Sequence, residues 1–166
     1  MLSERRFRDE IKLFVEKMNE QKVNWTICEG GKYARESHLE TLPDRRIVTA
    51  EAHILYNPTY KVPVLWFNYF ENNGSPLPFS SVVRDVLKIP EQESEASIRT
   101  RISHFEHPYL GVLYFNIHPC NTSSIMKELN TDESFLPPWF SVYGQQIHLP
   151  IPQFPPSESL LEMYKH

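Results

Sequence analysis

The chain has 166 residues, 40% of them hydrophobic and 23% charged, which is the size and composition of one globular domain. Its net charge of −4 gives no electrostatic basis for binding nucleic acid, and no apolar run approaches the roughly 20 residues that span a bilayer. The two cysteines, Cys28 and Cys120, imply no disulfide framework, and the N-terminus lacks the apolar segment of a secretory signal, so we expect a cytoplasmic protein.

The first half of the chain predicts one helix followed by strands. Residues 3–20 place apolar side chains three and four positions apart, with Ser3 suited to the N-cap. Runs that favour strands follow at residues 25–28, 46–57 and 60–70. Asn57-Pro58 indicates the turn between the last two runs.

The second half of the chain predicts three helices, one strand and a long polar loop. The helices are expected at residues 79–88, 122–129 and within 135–144, the loop at 90–103 and the strand at 110–117. Asn121 and Thr122 are the candidate caps of the helix that follows Cys120. Because strands and helices are segregated along the chain, we expect an α+β fold with a central antiparallel sheet flanked by helices. Residues 1–150 are expected to form a single domain, with 151–166 as a peripheral proline-rich tail.

Cys120 is the most informative residue, because it directly follows a strand and precedes a helix. A thiolate near a helix N-terminus is stabilised by the aligned peptide dipoles. His118 lies two residues before it, and Pro119 restricts the backbone between them. Such a thiol can serve as a nucleophile, a leaving group or a metal ligand.

The residues alone leave other interpretations open. A cysteine beside a histidine is also compatible with a buried structural thiol. His104, His107, His118 and Cys120 together offer four ligands of the type that zinc prefers, as in a zinc-stabilised binding domain. A cysteine hydrolase that pairs Cys120 with a distant histidine is a further alternative.

Four segments, in order, resemble the autophagy E2-like conjugating enzymes. The active-site motif of that family is similar to His118-Pro119-Cys120, and the other three segments are HILYNPTYKVPVL at 53–65, NGSPL at 73–77 and EHPYLG at 106–111. Together the similarity runs from about residue 47 to residue 149. The short chain resembles the autophagy-related protein ten family more than the autophagy-related protein three family, which carries a long acidic insertion and a membrane-sensing N-terminus.

The resemblance implies an E2-like core with accessory strands and a single catalytic domain. An E1-like enzyme, autophagy-related protein seven, would hand over a ubiquitin-like modifier, autophagy-related protein twelve. Cys120 would carry the modifier as a thioester and pass it to a lysine of autophagy-related protein five. No metal, nucleotide or organic cofactor is implied, since the thioester already stores the activation. The alternative within this fold is a non-catalytic E2-variant scaffold, which forms no thioester.

The resemblance also raises the question of which group stabilises the oxyanion. Ubiquitin E2 enzymes place an asparagine after the His-Pro pair, but Cys120 occupies that position here. Asn116 and Tyr56 are our main candidates for the missing role, because Asn116 shares side-chain parity with His118 and Tyr56 lies in the family-like hairpin. Asn121 is a weaker candidate because helix capping explains it. His118 is expected to hydrogen-bond the loop that carries Cys120.

Pro63 leads to an expectation about partner binding. Because proline has no N–H to donate to a sheet, its presence in the run 60–70 indicates an edge position or a bulge. Extended segments of partner proteins often add to exposed strand edges. We therefore expect the strand pair at 46–70 to be a docking surface for the acceptor or the modifier.

Overall fold

The computed structural model describes residues 1–129 and 133–151. Its strands are β1 (Trp25–Cys28), β2 (Tyr33–Thr41), β3 (Ile47–Asn57), β4 (Val62–Phe70), β5 (Ile102–Glu106) and β6 (Leu113–Ile117). Its α-helices are α1 (Glu4–Glu20), α2 (Phe79–Ser81), α3 (Glu95–Arg101), α4 (Thr122–Glu128) and α5 (Leu136–Tyr143). The strands form one six-stranded antiparallel sheet in the order β1-β2-β3-β4-β6-β5, which confirms the α+β prediction.

Helix α1 forms for the reasons that the sequence indicates. The Ser3 side chain accepts a hydrogen bond from the backbone N–H of Arg6 and so caps the helix. Its apolar stripe is buried and consists of Phe7, Ile11, Phe14, Val15 and Met18. Phe14 makes edge-to-face contacts with Trp25 of β1 and Phe140 of α5, with ring centroids 5.7 and 5.1 Å apart.

The hydrophobic core lies between one face of the sheet and the helices. Strand alternation directs Val48, Ala50, Ala52 and Ile54 of β3 into this core. Helix α5 is fixed to α1 by Glu10, whose carboxylate accepts hydrogen bonds from the backbone N–H groups of Phe135 and Leu136 at 2.8 and 2.9 Å. Glu10 therefore caps a helix that has no capping side chain of its own.

Two segments differ from the sequence-based expectation. Strand β2 was not predicted at all, and the loop expected at 90–103 contains helix α3 and the start of β5. The Ser94 side chain accepts a hydrogen bond from the N–H of Ser97 and starts α3, which buries only Ile98. Both segments are mostly polar, so neither shows the apolar periodicity on which the prediction rested.

Most of the docking edge expected at residues 46–70 is paired, because β3 and β4 are internal strands. The end of β4 that carries Pro63 is at an edge, as the proline predicts, and docking there stays a prediction. The outer strands of the sheet are β1 and β5. Pro63 is tolerated because β6 pairs with β4 only at Trp66 and Phe67, so that none of the described strands lies beside Pro63 on that side. On its other side Pro63 is in register with Tyr56 of β3.

The remaining predicted elements agree with the structure in position. The helix expected at 79–88 ends at Val86, and its second part, Val82–Val86, is a π-helical turn rather than an α-helix. Helix α5 begins near Pro137 and Pro138, as expected. The predicted tail at 151–166 lies, apart from Ile151, outside the described residues. Within the described ranges, no helix has both the length and the apolar character needed to cross a membrane.

Candidate functional site

Cys120 lies in the short connection between β6 and α4. The connection is a single 3₁₀ turn, Pro119–Asn121, with the buried Pro119 at its first position. The thiol of Cys120 is free and exposed to solvent, which excludes the interpretation as a buried structural thiol. Cys28 on β1 is also free but half-buried, so no disulfide links the two cysteines.

His118 holds the backbone around Cys120 in place, as expected from the sequence. Its Nδ1 accepts a hydrogen bond of 3.2 Å from the backbone N–H of Cys120. Its own backbone N–H donates to the carbonyl of Arg101, at the junction of α3 and β5, at 2.7 Å. Because Nδ1 is an acceptor here, the neutral ring carries its proton on Nε2.

Tyr60 is a neighbour of the site that the sequence analysis missed. Its ring packs edge-on against His118, with centroids 5.9 Å apart, and remains 40% exposed. The turn that presents it is built by Asn57, whose side-chain oxygen accepts hydrogen bonds from the N–H groups of Thr59 and Tyr60, both at 2.9 Å. Asn57-Pro58 predicted this turn, but no local signal predicted that the turn reaches His118.

Helices α4 and α5 support the site from behind. The buried hydroxyl of Thr122 donates to the hydroxyl oxygen of Tyr143 at 2.9 Å. Burial raises the pKa of Tyr143, and the nearby Cys120 thiolate raises it further. Asn121 precedes α4, but its side chain makes no capping hydrogen bond, so the predicted capping role is wrong.

Asn116 lies on β6, four residues before Cys120. Its side chain is 4% exposed and, within the described part of the chain, makes no hydrogen bond. Its cross-strand partners are Trp66 on β4 and Ser103 on β5. Its amide atoms are not among the fully buried, unpaired side-chain atoms of the described chain, which are those of Trp25, His53 and Trp139. Asn116 has no hydrogen-bond partner among the described residues, and its side chain lies four residues before the thiol.

Tyr56 has a different environment from the one expected. Its hydroxyl donates a hydrogen bond of 2.8 Å to the backbone carbonyl of Leu2, and its ring packs on Phe7 with centroids 5.6 Å apart. The single O–H of a tyrosine can donate to one acceptor at a time. In this structure Tyr56 therefore anchors the N-terminal segment, and its hydroxyl proton is not available to an incoming lysine.

The four residues of the zinc alternative do not converge. His104 is exposed and stacks on Phe115, with ring centroids 4.3 Å apart, whereas His107 is fully buried against His53. Across the residues that the structure describes, no three His, Cys, Asp or Glu side chains are grouped as metal ligands would be. The zinc-stabilised domain is therefore not supported by the geometry.

The cysteine hydrolase alternative lacks its base. In that class a histidine ring must hydrogen-bond the thiol to take up its proton. The Nδ1 of His118 instead binds the amide of Cys120, and no described histidine hydrogen-bonds the Cys120 sulfur. Among the described residues, the site thus offers an exposed thiol with no histidine base in hydrogen-bond contact.

A second polar group, also missed, lies buried on the sheet face opposite the helices. The Nδ1 of His53 and the Nε2 of His107 are 2.9 Å apart, and the Nε2 of His53 faces a carboxylate oxygen of Glu51 at 3.3 Å. The Nδ1 of His107 accepts from the N–H of Tyr109, and Tyr114 donates to Glu51 at 2.7 Å. Burial and the neighbouring His53 lower the pKa of His107 to about 4. This chain of hydrogen bonds pins the turn after β5 to the sheet.

Comparison with known proteins gives a consistent relationship. Residues 14–154 match the family described as autophagocytosis associated protein, active-site domain. A ubiquitin-like-conjugating enzyme ATG10 from Arabidopsis thaliana is 37% identical over 110 residues, 60% of this chain and 49% of that protein. Its Homo sapiens counterpart is 28% identical over 69% of this chain and 55% of its own length. The autophagy-related protein 3 of Dictyostelium discoideum is 29% identical over 51% of this chain and 23% of its own length. The chain thus spans about half the length of the ATG10 relatives it matches.

A solved structure shares the fold. The crystal structure of the autophagic E2 Atg10 superimposes with a TM-score of 0.63 at 14% identity, over 86% of this chain and 94% of that chain. The similarity confirms the predicted E2-like fold, with its antiparallel sheet flanked by helices. Because the family match covers most of the sequence and includes Cys120 with the turn around it, the chain belongs to the autophagocytosis associated protein family, through that family's active-site domain.

Proposed function

We propose that the chain is an E2-like conjugating enzyme that carries a ubiquitin-like autophagy modifier as a thioester on Cys120. The observation that carries this proposal is the exposed, free thiol in a fixed turn of a family active-site domain. An E1-like activating enzyme holds the modifier's C-terminal glycine as a thioester. The Cys120 thiolate attacks that carbonyl, and the sulfur of the activating enzyme leaves with the electron pair.

The second step transfers the modifier to a lysine of an acceptor protein. The lysine nitrogen must be neutral to attack, and a partly dehydrated site favours the neutral amine. The attack forms a C–N bond, and collapse of the tetrahedral intermediate breaks the C–S bond. The amine loses a proton, and the Cys120 thiolate is regenerated. The products are an isopeptide bond and a free enzyme, and neither step requires a cofactor.

Asn116 is our proposed stabiliser of the oxyanion in this second step. The residue is 4% exposed, and its amide has no hydrogen-bond partner within the described chain, so no described group competes for its N–H donors. A preorganised donor of this kind contributes about 3 kcal/mol to an acyl-transfer transition state. His118 is a positioning residue, since it acts through the amide of Cys120.

The proposed partners rest on the resemblance to the family. We propose autophagy-related protein seven as the activating enzyme, autophagy-related protein twelve as the modifier and autophagy-related protein five as the acceptor, consistent with the relatives named ATG10. We assign the catalytic unit to residues 1–150 and the reaction to the cytoplasm, where a thiol such as Cys120 stays reduced.

A thioester assay tests the proposal. The protein is mixed with the activating enzyme, ATP and the modifier, and the products are separated with and without reductant. We expect a reductant-sensitive adduct in the parent and a reductant-resistant oxyester with Cys120→Ser. The matched control is Cys28→Ser, which should behave like the parent because Cys28 is half-buried on β1. A parent protein that forms no adduct would support the scaffold alternative instead.

A further inference from the structure

A small cavity opens beside α4, close to the carrier cysteine. It has a volume of about 70 Å³ and is lined by Met1, Val62, Ser123, Met126, Lys127 and Phe135. That is several times the roughly 10–15 Å³ that one water molecule needs. Four of the six lining residues are apolar, so the cavity suits the end of an apolar side chain.

Cys120 lies in the 3₁₀ turn immediately before α4, and two residues that line the cavity follow it on that helix. Ser123 and Lys127 are four residues apart and share one face of α4. The seven residues from Cys120 to Lys127, with rises of about 1.5 Å in the α-helix and about 2 Å in the 3₁₀ turn, correspond to roughly 10 Å. An extended peptide covers that distance in about three residues. A chain attached to the sulfur of Cys120 and running along α4 would thus reach the cavity after about three residues.

The walls of the cavity are held by specific hydrogen bonds. The backbone beside Met1 is fixed at Leu2, which donates its N–H to the carbonyl of Lys61 at 3.1 Å and accepts from the hydroxyl of Tyr56 at 2.8 Å, while Met1 itself is 79% exposed. On another side, the N–H of Phe135 donates to the Glu10 carboxylate at 2.8 Å. The cavity is therefore a built feature of the fold, in which the N-terminal segment, β4, α4 and α5 take part.

We infer that this cavity is a subsite for the modifier's C-terminal segment, where it accepts an apolar side chain about three residues before the terminal glycine. The inference rests on the proposed function, because the thioester on Cys120 fixes one end of that segment. The exposed Lys127 lies at the cavity rim and disfavours a basic side chain at the same position. The cavity would thus contribute to the choice of modifier.

The two adjacent serines of α4 provide a matched test. Ser123 lines the cavity, whereas Ser124 is exposed and points away from it. The rate of thioester formation is measured at increasing concentrations of autophagy-related protein twelve charged on autophagy-related protein seven. We expect Ser123→Trp to raise the KM about tenfold or more, the scale set by burial of one apolar side chain. Ser124→Trp should match the parent.

A scan of the modifier identifies the occupant. Each of the last few modifier residues before the terminal glycine is replaced in turn by alanine. We expect one apolar position, about three residues from the end, whose loss raises the KM with the parent enzyme and adds little with Ser123→Trp, because the two changes remove the same contact. Lys127→Trp, with Glu128→Trp as its control, gives a second comparison should Ser123→Trp lower the melting temperature.

The outcomes separate the two proposals. No thioester with the parent would reject the proposed function itself. Only the subsite would be rejected if the parent forms the thioester and each cavity variant has the same KM as its control. The two comparisons are Ser123→Trp with Ser124→Trp and Lys127→Trp with Glu128→Trp. The subsite would also be rejected if the increase in KM caused by Ser123→Trp added in full to the increase caused by every modifier variant. Full additivity would mean that the cavity contacts the activating enzyme rather than the modifier.

Discussion

The backbone N–H of Cys120 donates its hydrogen bond to the Nδ1 of His118, so the histidine caps the turn that presents the thiol. This contact assigns His118 to positioning rather than to proton transfer, and the assignment can be tested by substitution. Removing a side chain that caps a turn costs about 1 kcal/mol, because the backbone N–H loses its partner.

We expect His118→Ala to slow thioester formation about fivefold, since 1 kcal/mol corresponds to that factor. His118→Asn should restore most of the rate, because the asparagine side-chain oxygen can accept from the same N–H. Stopped reactions separated without reductant give the rates. A proton-transfer role would be indicated if the asparagine variant were as slow as the alanine variant.

Asn116 is expected to act after the thioester has formed. Asn116→Ala should lower the rate constant of transfer to lysine about 100-fold, the usual effect of removing one oxyanion donor, while thioester formation continues. The measurement is single-turnover discharge of the isolated thioester onto the acceptor.

Asn121→Ala compares Asn116 with the competing candidate donor. Asn121 is next to Cys120, is exposed and makes no capping hydrogen bond, so capping no longer explains it. We expect its loss to slow discharge much less than the loss of Asn116, because its exposed amide is hydrated rather than preorganised. Equal effects of the two alanine variants on discharge would exclude a special role for Asn116.

Tyr56→Phe is expected to affect stability more than chemistry. It removes the hydrogen bond to Leu2 and should lower the free energy of unfolding by about 1 kcal/mol, measured by urea denaturation. The rate of discharge from Cys120 should stay close to that of the parent. A slow discharge with unchanged stability would instead place the hydroxyl in the reaction.

The buried pair of His107 and His53 predicts a loss of stability in acid. The pKa of His107 is lowered to about 4 by burial first and by His53 second, below the ordinary value near 6.5. His107 therefore binds a proton more readily in the unfolded chain than in the folded one. The stabilisation of the folded state by neutral His107 is complete above pH 6.5 and is lost as the pH falls towards 4. The expected loss is about 2–3 kcal/mol.

Urea denaturation between pH 4 and 7 checks this prediction. His107→Gln should flatten the pH dependence, because glutamine does not titrate. His104→Gln, at an exposed position on β5, should leave most of it in place. A parent whose unfolding free energy were constant over this range would contradict the assignment to His107.

His38 predicts the opposite dependence at higher pH. It lies between Glu36 and Glu40, with nitrogen to oxygen distances of 2.8 Å to each, and these hydrogen bonds, Glu36 first, raise the pKa of His38 to about 10. The contribution of protonated His38 to the free energy of unfolding is complete below pH 6.5 and declines as the pH rises towards 10. His38→Gln should remove that decline in unfolding free energy.

The sequence predicted elements whose signals are local. Helix α1 follows from the stripe of Phe7 and Ile11 together with the Ser3 cap, and the position of Cys120 after a strand follows from the apolar run before it. Strand β2 was not predicted because Glu36 and His38 lie at positions where apolar residues would be expected. Their side chains hydrogen-bond each other there. Pro63 correctly predicted a local edge, but the sequence did not show that the rest of β4 is internal, because the β4–β6 pairing is set by the whole sheet.

The residues of the candidate site also differ in whether local sequence signals could predict them. Cys120, His118 and Asn116 lie within five residues of one another, so a short motif identifies them together. Tyr60 and Tyr143 reach the site from a distant turn and from α5, and their contacts depend on tertiary packing. The hydrogen bond of Tyr56 to the Leu2 carbonyl was not predictable, because the two residues are 54 positions apart in the chain.

The single turn between β6 and α4 leaves little room for insertions or deletions. Asn116 ends up on its face of the sheet through the two-residue period of β6, and Cys120 is reached through only three intervening residues. One added residue between Asn116 and Ile117 would rotate the asparagine to the opposite face while the thiol kept its place. The spacing between donor and nucleophile is therefore fixed by counting along the chain, and length changes in this stretch should be far less tolerated than substitutions.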